Sequence, residues 1–484
     1  SRGATVWSSS VRTIREPPRA PVFGKIASPL CSVVFLLFHI AAPLSAMADT
    51  WFGSRVTFST GNGPNAIAIG DLNNDAVPDI VTAGYQSDSV SALLGIGDGT
   101  FAEHVDSYAP GLHLKVAVGK LNADQFADIA VTNRYLNTVS VLLGNGDGSF
   151  GPPTDLSTGA FPDGVAIRDL NGDTKNDLIV VNSSDPGSVS VFLGNGDGSF
   201  GARTDFGTWK GPTGLDVGDL DGDGKLDVVV ANQGVNTIEH SVTVLLGNGD
   251  GTFKPRVEYP TARLPWSVAI GSLNGDAYPD LVTVGEFDSL SVLLGTGAGA
   301  FGSYVNRSVP YVPRSVSVAD FDADGRADLS IVREGLGISL YPGNGDGSFG
   351  ASSDLATGFS PRSHVVADLN GDGRPDLAVA DRGDPDNYFG GTTVTVYLNC
   401  VPCATTAVSV TLIEASVVNG RVRLRWITPR ASGDMFGRVQ RRTDATEWSE
   451  VAGPYALSES DFSYEDASPP TDGRVGYRLQ LRDA

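Results

Sequence analysis

The sequence is poor in the residues that carry most enzymatic chemistry. Only five histidines occur among 484 residues, and the four beyond residue 48 (His104, His113, His240, His364) lack metal-ligand spacing. There is no G-x-S-x-G elbow, no H-E-x-x-H and no phosphate-binding glycine loop, which removes the commonest hydrolase, metalloprotease and nucleotide-dependent classes. Of three cysteines, Cys400 and Cys403 form a C-x-x-C with no second pair to complete a zinc site. Basic residues are scarce as well. The 34 Lys and Arg face 56 Asp and Glu, a formal net charge of -22, which argues against nucleic acid or an anionic membrane surface as partner. No 12-residue stretch carries a convincing 3.6-residue apolar period, so helices are not expected.

The charge is unevenly placed. Residues 1–48 hold Arg2, Arg12, Arg15, Arg19 and Lys25 against one acid, Glu16. These bases precede the apolar run Leu30–Ala42, and Ala46-Met47-Ala48 follows as an A-x-A cleavage pattern. The run is too short to span a bilayer comfortably and fits a signal peptide over 1–48, cleaved after Ala48. The expected mature chain is secreted or displayed at the cell surface, with no transmembrane anchor.

What is abundant is glycine, 60 residues, and internal repetition. A unit reading V-A-I-x-D-L-N-G-D-x-x-x-D-L-x-V-V-x-N and then S-V-S-V-L-L-G-N-G-D-G-S-F-G recurs seven times. Its acidic segments start at Asp71, Lys120, Asp169, Asp219, Ser272, Asp320 and Asp368, 48 to 53 residues apart. Each unit resolves into four short strands. In the third they are Gly164–Arg168, Asp177–Asn182, Ser188–Leu193 and Phe200 to about Phe206. The Gly-Asn-Gly-Asp-Gly segments read as hairpin turns. Four antiparallel strands per unit and seven units predict an all-β, seven-bladed propeller over 49–399. The seventh unit lacks its last strand, and an orphan of that type, Phe52–Phe58, lies ahead of the first. Pairing the two closes the ring and removes both sheet edges.

The acidic segment D-x-[D/N]-x-D-G-x-x-D lies between the first two strands of each blade. Hard oxygen donors at positions 1, 3, 5 and 9, with Gly at 6 for the reversal, select calcium. Copies four (Asp219, Asp221, Asp223, Asp227), six (Asp320, Asp322, Asp324, Asp328) and seven (Asp368, Asn370, Asp372, Asp376) match throughout. Copies one (Asp71, Asn73, Asp75, Asp79) and three (Asp169, Asn171, Asp173, Asp177) carry Ala76 and Thr174 where Gly belongs, so they should bind more weakly. Lys120 and Ser272 break copies two and five. The expectation is about five Ca²⁺ sites, three of them complete. The competing reading is that these residues form Asx-turns only.

The Phe-Gly pairs (Phe150-Gly151, Phe200-Gly201, Phe301-Gly302, Phe349-Gly350) and the acidic loops together resemble the FG-GAP/VCBS repeat family. Members form seven-bladed propellers like the integrin α-chain headpiece and certain fungal lectins. The resemblance covers roughly residues 50–399 and implies a calcium-stabilised scaffold that hosts adhesion, sugar binding and a few lyases or phospholipases. The implied role is therefore a recognition module for a glycan or extracellular protein, monomeric and not an enzyme. The alternative is a polysaccharide-acting lyase or hydrolase on the same scaffold.

The face opposite the acidic loops carries the variation between copies. Tyr85, Tyr135, Trp209, Trp266, Tyr311, Tyr388 and Phe389 fall there and could stack on sugars or peptide segments, or pack between blades instead. The long loops Gln233–His240 and Asp381–Gly391 are candidates for the same role; the second contains Arg382-Gly383-Asp384, more readily a turn than an adhesive signal. In an exported chain Cys400 and Cys403 read as a local disulfide in a 400–403 linker. Residues 404–484 read as strands of a small β-sandwich. Val422–Trp426 and Gly476–Leu479 resemble fibronectin type III strands, and this module reads as a spacer.

Overall fold

The computed structural model describes residues 51–400, apart from 86, 235–238, 288 and 384–391, together with the backbone of six further strands between 411 and 483. The expected signal peptide lies outside the described residues. The chain divides into two compact units, Ser45–Thr405 in one and the remaining segments in the other. Beyond the first unit, Thr411–Val418, Arg421–Ile427 and Asp461–Asp466 form one three-stranded sheet, and Met435–Thr443, Ser449–Ala456 and Val475–Asp483 form another. Side chains of that region are outside the described residues, and so is the expected fibronectin-like packing.

Seven four-stranded antiparallel sheets make up the first unit. Blade three runs Pro162–Arg168, Asp177–Asn182, Ser188–Phe192 and Thr204–Gly207, in that order across the sheet. The other innermost strands are Pro64–Gly70, His113–Gly119, Pro212–Gly218, Pro265–Gly271, Pro313–Ala319 and Pro361–Ala367. Each inner strand contacts the next, and the first meets the seventh, so the ring is closed. The outermost strand starts later than Phe200. Phe200 instead makes a single bridge back to Gly194, and the same Gly-to-Phe bridge closes the turn in blades one, two, four and six. Gly198 sits at φ 81° in that turn, where a side chain would be strained.

The second strand of every blade is buried along its whole length, being covered by a neighbouring blade on each face. The core accordingly lies between blades. One cluster joins Ile67, Ile80 and Leu93 of blade one to Ala378 and Val394 of blade seven. Blade seven is completed as expected. Val56–Ser59 pairs with Thr393–Tyr397, Phe52 bridges Asn399, and the Cys400 N–H donates to the Trp51 carbonyl at 2.9 Å. Trp51 and Phe52 pack on Phe321, with ring centroids 6.3 and 5.8 Å away. Cys400 is disulfide-bonded, and Cys403 lies outside the described residues.

Candidate functional site

One face of the ring carries the acidic loops. In blade four the Asp227 carboxylate accepts the Leu220 N–H at 2.7 Å and the Gly247 N–H at 2.7 Å. Asp79, Asp128, Asp177, Asp280, Asp328 and Asp376 make the equivalent two bonds. This ninth-position Asp therefore ties the end of the inner strand to the start of the hairpin turn in all seven blades, including two and five, which lack the first-position carboxylate. Burial raises the carboxyl pKa of Asp79, Asp328 and Asp376 to about 6 against the lowering effect of these N–H groups, with adjacent loop carboxylates adding to the rise.

The remaining loop carboxylates fold inward through Asx bonds. Asp320 Oδ2 accepts the Gly325 N–H at 2.9 Å, and Asp219 Oδ2 accepts the Gly224 N–H at 2.8 Å. Ala76 and Thr174 adopt φ 66° and 70°, the left-handed conformation that Gly224, Gly325 and Gly373 hold without a Cβ. Two loops bring three carboxylates within 4.8 Å of one another: Asp219, Asp221 and Asp223, and Asp320, Asp322 and Asp328. An all-oxygen donor set of this kind fits a hard cation. The two differ in competition. Lys254 Nζ lies 3.0 Å from Asp221 and Lys225 Nζ 3.2 Å from Asp223, whereas the blade-six loop has only Arg326 Nη1 near Asp324, at 3.7 Å. Burial and the charges of Asp324 and Asp320 raise the Asp322 pKa.

The opposite face opens on the axis. Every inner strand begins with Pro, or His113 in blade two, and each shows a register shift directly after it. Such a bulge frees one residue from the ladder, or two in blades two and four, and redirects the side chain that follows the opening residue. The residues at that position are Asn65, Leu114, Asp163, Thr213, Trp266, Arg314 and Arg362, and all seven line a single cavity of about 200 Å³. Lys115 lines it too, one residue further in, as do Tyr85, Arg134 and Arg382 from the ends of second strands. Asp163 is salt-bridged to Arg134. Glu334 accepts from Arg314 Nε at 2.8 Å and from Arg362 Nη1 at 3.1 Å. Burial alone would raise the Glu334 carboxyl, but the hydrogen bonds and charges of Arg314 and Arg362 outweigh it and hold it low. The Arg314 guanidinium lies 4.9 Å over the Trp266 ring and that of Arg382 3.9 Å over Tyr85.

The FG-GAP-like repeat pattern matches residues 120–180, 169–230, 219–283, 272–331 and 320–379, together more than half the chain. The chain belongs to the FG-GAP-like repeat family. No curated protein sequence matches it. Among solved structures it is similar to BBS1N, crystallised in complex with ARL6DN (9% identity, 72% of this chain and 97% of that one, TM-score 0.49). It is also similar to a functionally unknown protein from Desulfotomaculum acetoxidans (11%, 62% and 88%, 0.45) and to the V. cholerae biofilm matrix protein Bap1 (17%, 71% and 89%, 0.39).

Within this FG-GAP-like propeller the sequence-predicted aromatics do not share one patch. Tyr85 and Trp266 line the axial cavity. Trp209 lines a separate cavity with Glu239, His240 and Glu258, and Arg256 lies 5.7 Å over its ring. Tyr135 and Tyr311 are exposed singly. Tyr388, Phe389 and most of the Asp381–Gly391 loop lie outside the described residues. The cavity cations went unrecognised in the sequence, yet a signal was there. The residue after the strand-opening Pro is the point at which otherwise matching copies disagree: Asn, Asp, Thr, Trp, Arg and Arg.

Proposed function

We propose that this protein is an exported, calcium-loaded propeller that recognises glycan or protein ligands without transforming them. The observation carrying this reading is the convergence of seven side chains of six types, one per blade, on one cavity of an otherwise repetitive ring. Repetition serves the scaffold, and the exception to it marks the place where specificity is written. Calcium is supported by the oxygen-only carboxylate groups of blades four and six. Five bound ions would use the carboxylates of Asp71, Asp169, Asp219, Asp320 and Asp368 and their loop partners, and would offset part of the acidic excess. Their role would be to rigidify the loops that the ninth-position Asp already anchors. The Cys400 disulfide agrees with an oxidising compartment.

No helix among the described residues is long and apolar enough to cross a membrane. Among the described residues, Asp163 on the cavity wall and Glu334 behind it are engaged by arginines, an arrangement suited to holding charge in place rather than to moving protons. Glycan and protein arrays probed in calcium and in chelator, beside a product assay on polysaccharides and elemental analysis of the purified protein, test the reading. Calcium-dependent capture without product, and bound calcium near five equivalents, is expected. Product release would replace recognition by catalysis, and a metal-free protein whose melting ignores EDTA would remove calcium.

A further inference from the structure

The axial cavity concentrates positive charge in a protein whose net charge is -22. Five cations line it, and among the described residues Asp163 on its wall and Glu334, paired with Arg314 and Arg362, oppose them. Burial lowers the Arg362 pKa, and the charges of Arg314 and Arg382 lower it further against Glu334. These guanidinium groups thus repel one another at the axis. Lys115 adds a fifth cationic side chain, its pKa lowered by burial and supported by the charge of Asp163, where the aligned residues of the other inner strands are Ala66, Gly164, Gly214, Ser267, Ser315 and Ser363. Its only hydrogen bonds among the described residues are main-chain ones to Thr132. Donors are in excess as well, since Arg362 Nε and Trp266 Nε1 are buried without an acceptor. A buried concentration of like charge and unmet donors is costly unless something acidic and rich in acceptors enters.

Resting on the recognition reading above, we propose that the axial cavity binds the anionic group of an acidic sugar, a uronate carboxylate or a sugar sulfate, through Arg314, Arg362 and Lys115. Guanidinium groups meet such oxyanions with paired hydrogen bonds. Trp266 and Tyr85 serve as seats for Arg314 and Arg382, so one face of each ring is taken by a guanidinium and the rings present cations to the cavity. About 200 Å³ is below the size of pockets that enclose drug-sized ligands, and it suits one charged sugar unit. A peptide carboxylate would bring one acceptor group. A sugar acid adds ring hydroxyls that can reach Asn65 and the unmet donors.

The test uses the full chain in saturating calcium and calorimetric titration with oligogalacturonate, a sulfated galactan oligomer and the neutral galactan oligomer. Either acidic probe should bind, weaken with salt and outbind the neutral one by at least about tenfold; which acidic probe binds identifies the oxyanion. The R314A/R362A double variant should lose at least about tenfold in affinity. E334Q removes the internal competitor and should tighten binding several-fold, a gain that misfolding cannot mimic. Equal binding of neutral and acidic probes, no binding of either acidic probe, acidic binding indifferent to both variants, or stronger binding of polyglutamate would each overturn the proposal. Capture of a neutral glycan or a protein with no acidic binding refutes this inference alone. Product release refutes the recognition reading while leaving the Arg314 and Arg362 dependence to decide this one.

Discussion

The last blade contains a misplaced acid whose replacement should stabilise the protein. In blade three a polar column crosses the sheet: Asn182 Nδ2 donates to Ser190 Oγ at 2.8 Å, and Ser190 Oγ donates to Asp205 at 2.7 Å. Blade two repeats it as Asn133, Ser140 and Asp155, and blade four as Asn232, Thr243 and Glu258. In each, the acid sits on the outermost strand. Blade seven inverts the order. Asp381 occupies the buried second-strand position, accepts from Thr395 Oγ1 at 2.5 Å, and the outermost residue opposite Thr395 is Thr57. Burial raises the Asp381 carboxyl from 3.8 to about 6, opposed by its Thr395 hydrogen bond. The folded state thus binds a proton more tightly than the unfolded chain. Stability is highest below pH 4 for this group and falls as pH rises through 6. Two pK units correspond to about 3 kcal/mol lost at neutral pH. D381N removes that penalty and restores the donor that the sibling blades use. It should gain about 1–3 kcal/mol at pH 7.5, with a raised melting temperature, and the gain should vanish near pH 4. D381N/T57D rebuilds the whole column and should gain no less. Melting curves from pH 4 to 8 at fixed calcium check this; a variant no more stable than wild type at pH 7.5, or a gain that ignores pH, refutes the reasoning.

Other outcomes follow from the same geometry. D128A leaves the buried Leu121 and Gly144 N–H groups without acceptors in a blade lacking a full cation loop, so it should destabilise by about 2–5 kcal/mol, equally in calcium and in EDTA, as read by chemical denaturation. T174G relieves a left-handed non-glycine residue at φ 70° and should raise stability by about 1 kcal/mol while tightening calcium binding at blade three. Removal of residues 1–59 takes away the strand that covers Thr393–Tyr397 and the rings packed on Phe321. Size-exclusion chromatography should then show self-association through the bared edge, to a larger size than the intact chain run beside it.

The repeat made the blades, their order and the closing strand legible, because each depends on local patterns that recur seven times. Turn glycines, alternating β-branched residues and the orphan Phe52–Phe58 needed no long-range information. The axial cavity did not announce itself, since its residues lie about 49 positions apart and a bulge after a proline decides where they point. The sequence leaves Trp266 and Tyr85 free either to stack on a ligand or to pack between blades; the arginines placed over them come from blades six and seven, which spacing along the chain does not show. The ninth-position Asp was read as a cation ligand. Its spacing does not reveal that its oxygens also accept main-chain N–H groups, a second role that explains its recurrence in blades two and five, while Asp328 still joins the blade-six carboxylate group.

The two ends of the ring leave side by side, with Trp51 and Cys400 bonded through their backbones. Tension applied between the flanking segments would therefore enter at the Phe52 and Asn399 bridge and travel along Val56–Ser59, breaking its ladder one rung at a time like a zip. The load would pass on to blade six through Trp51 and Phe52 on Phe321, and to blade one through Phe58 on Phe101. Mechanical resistance in this propeller is set by a four-residue seam and the rings that flank it, however strongly the rest of the wheel is built.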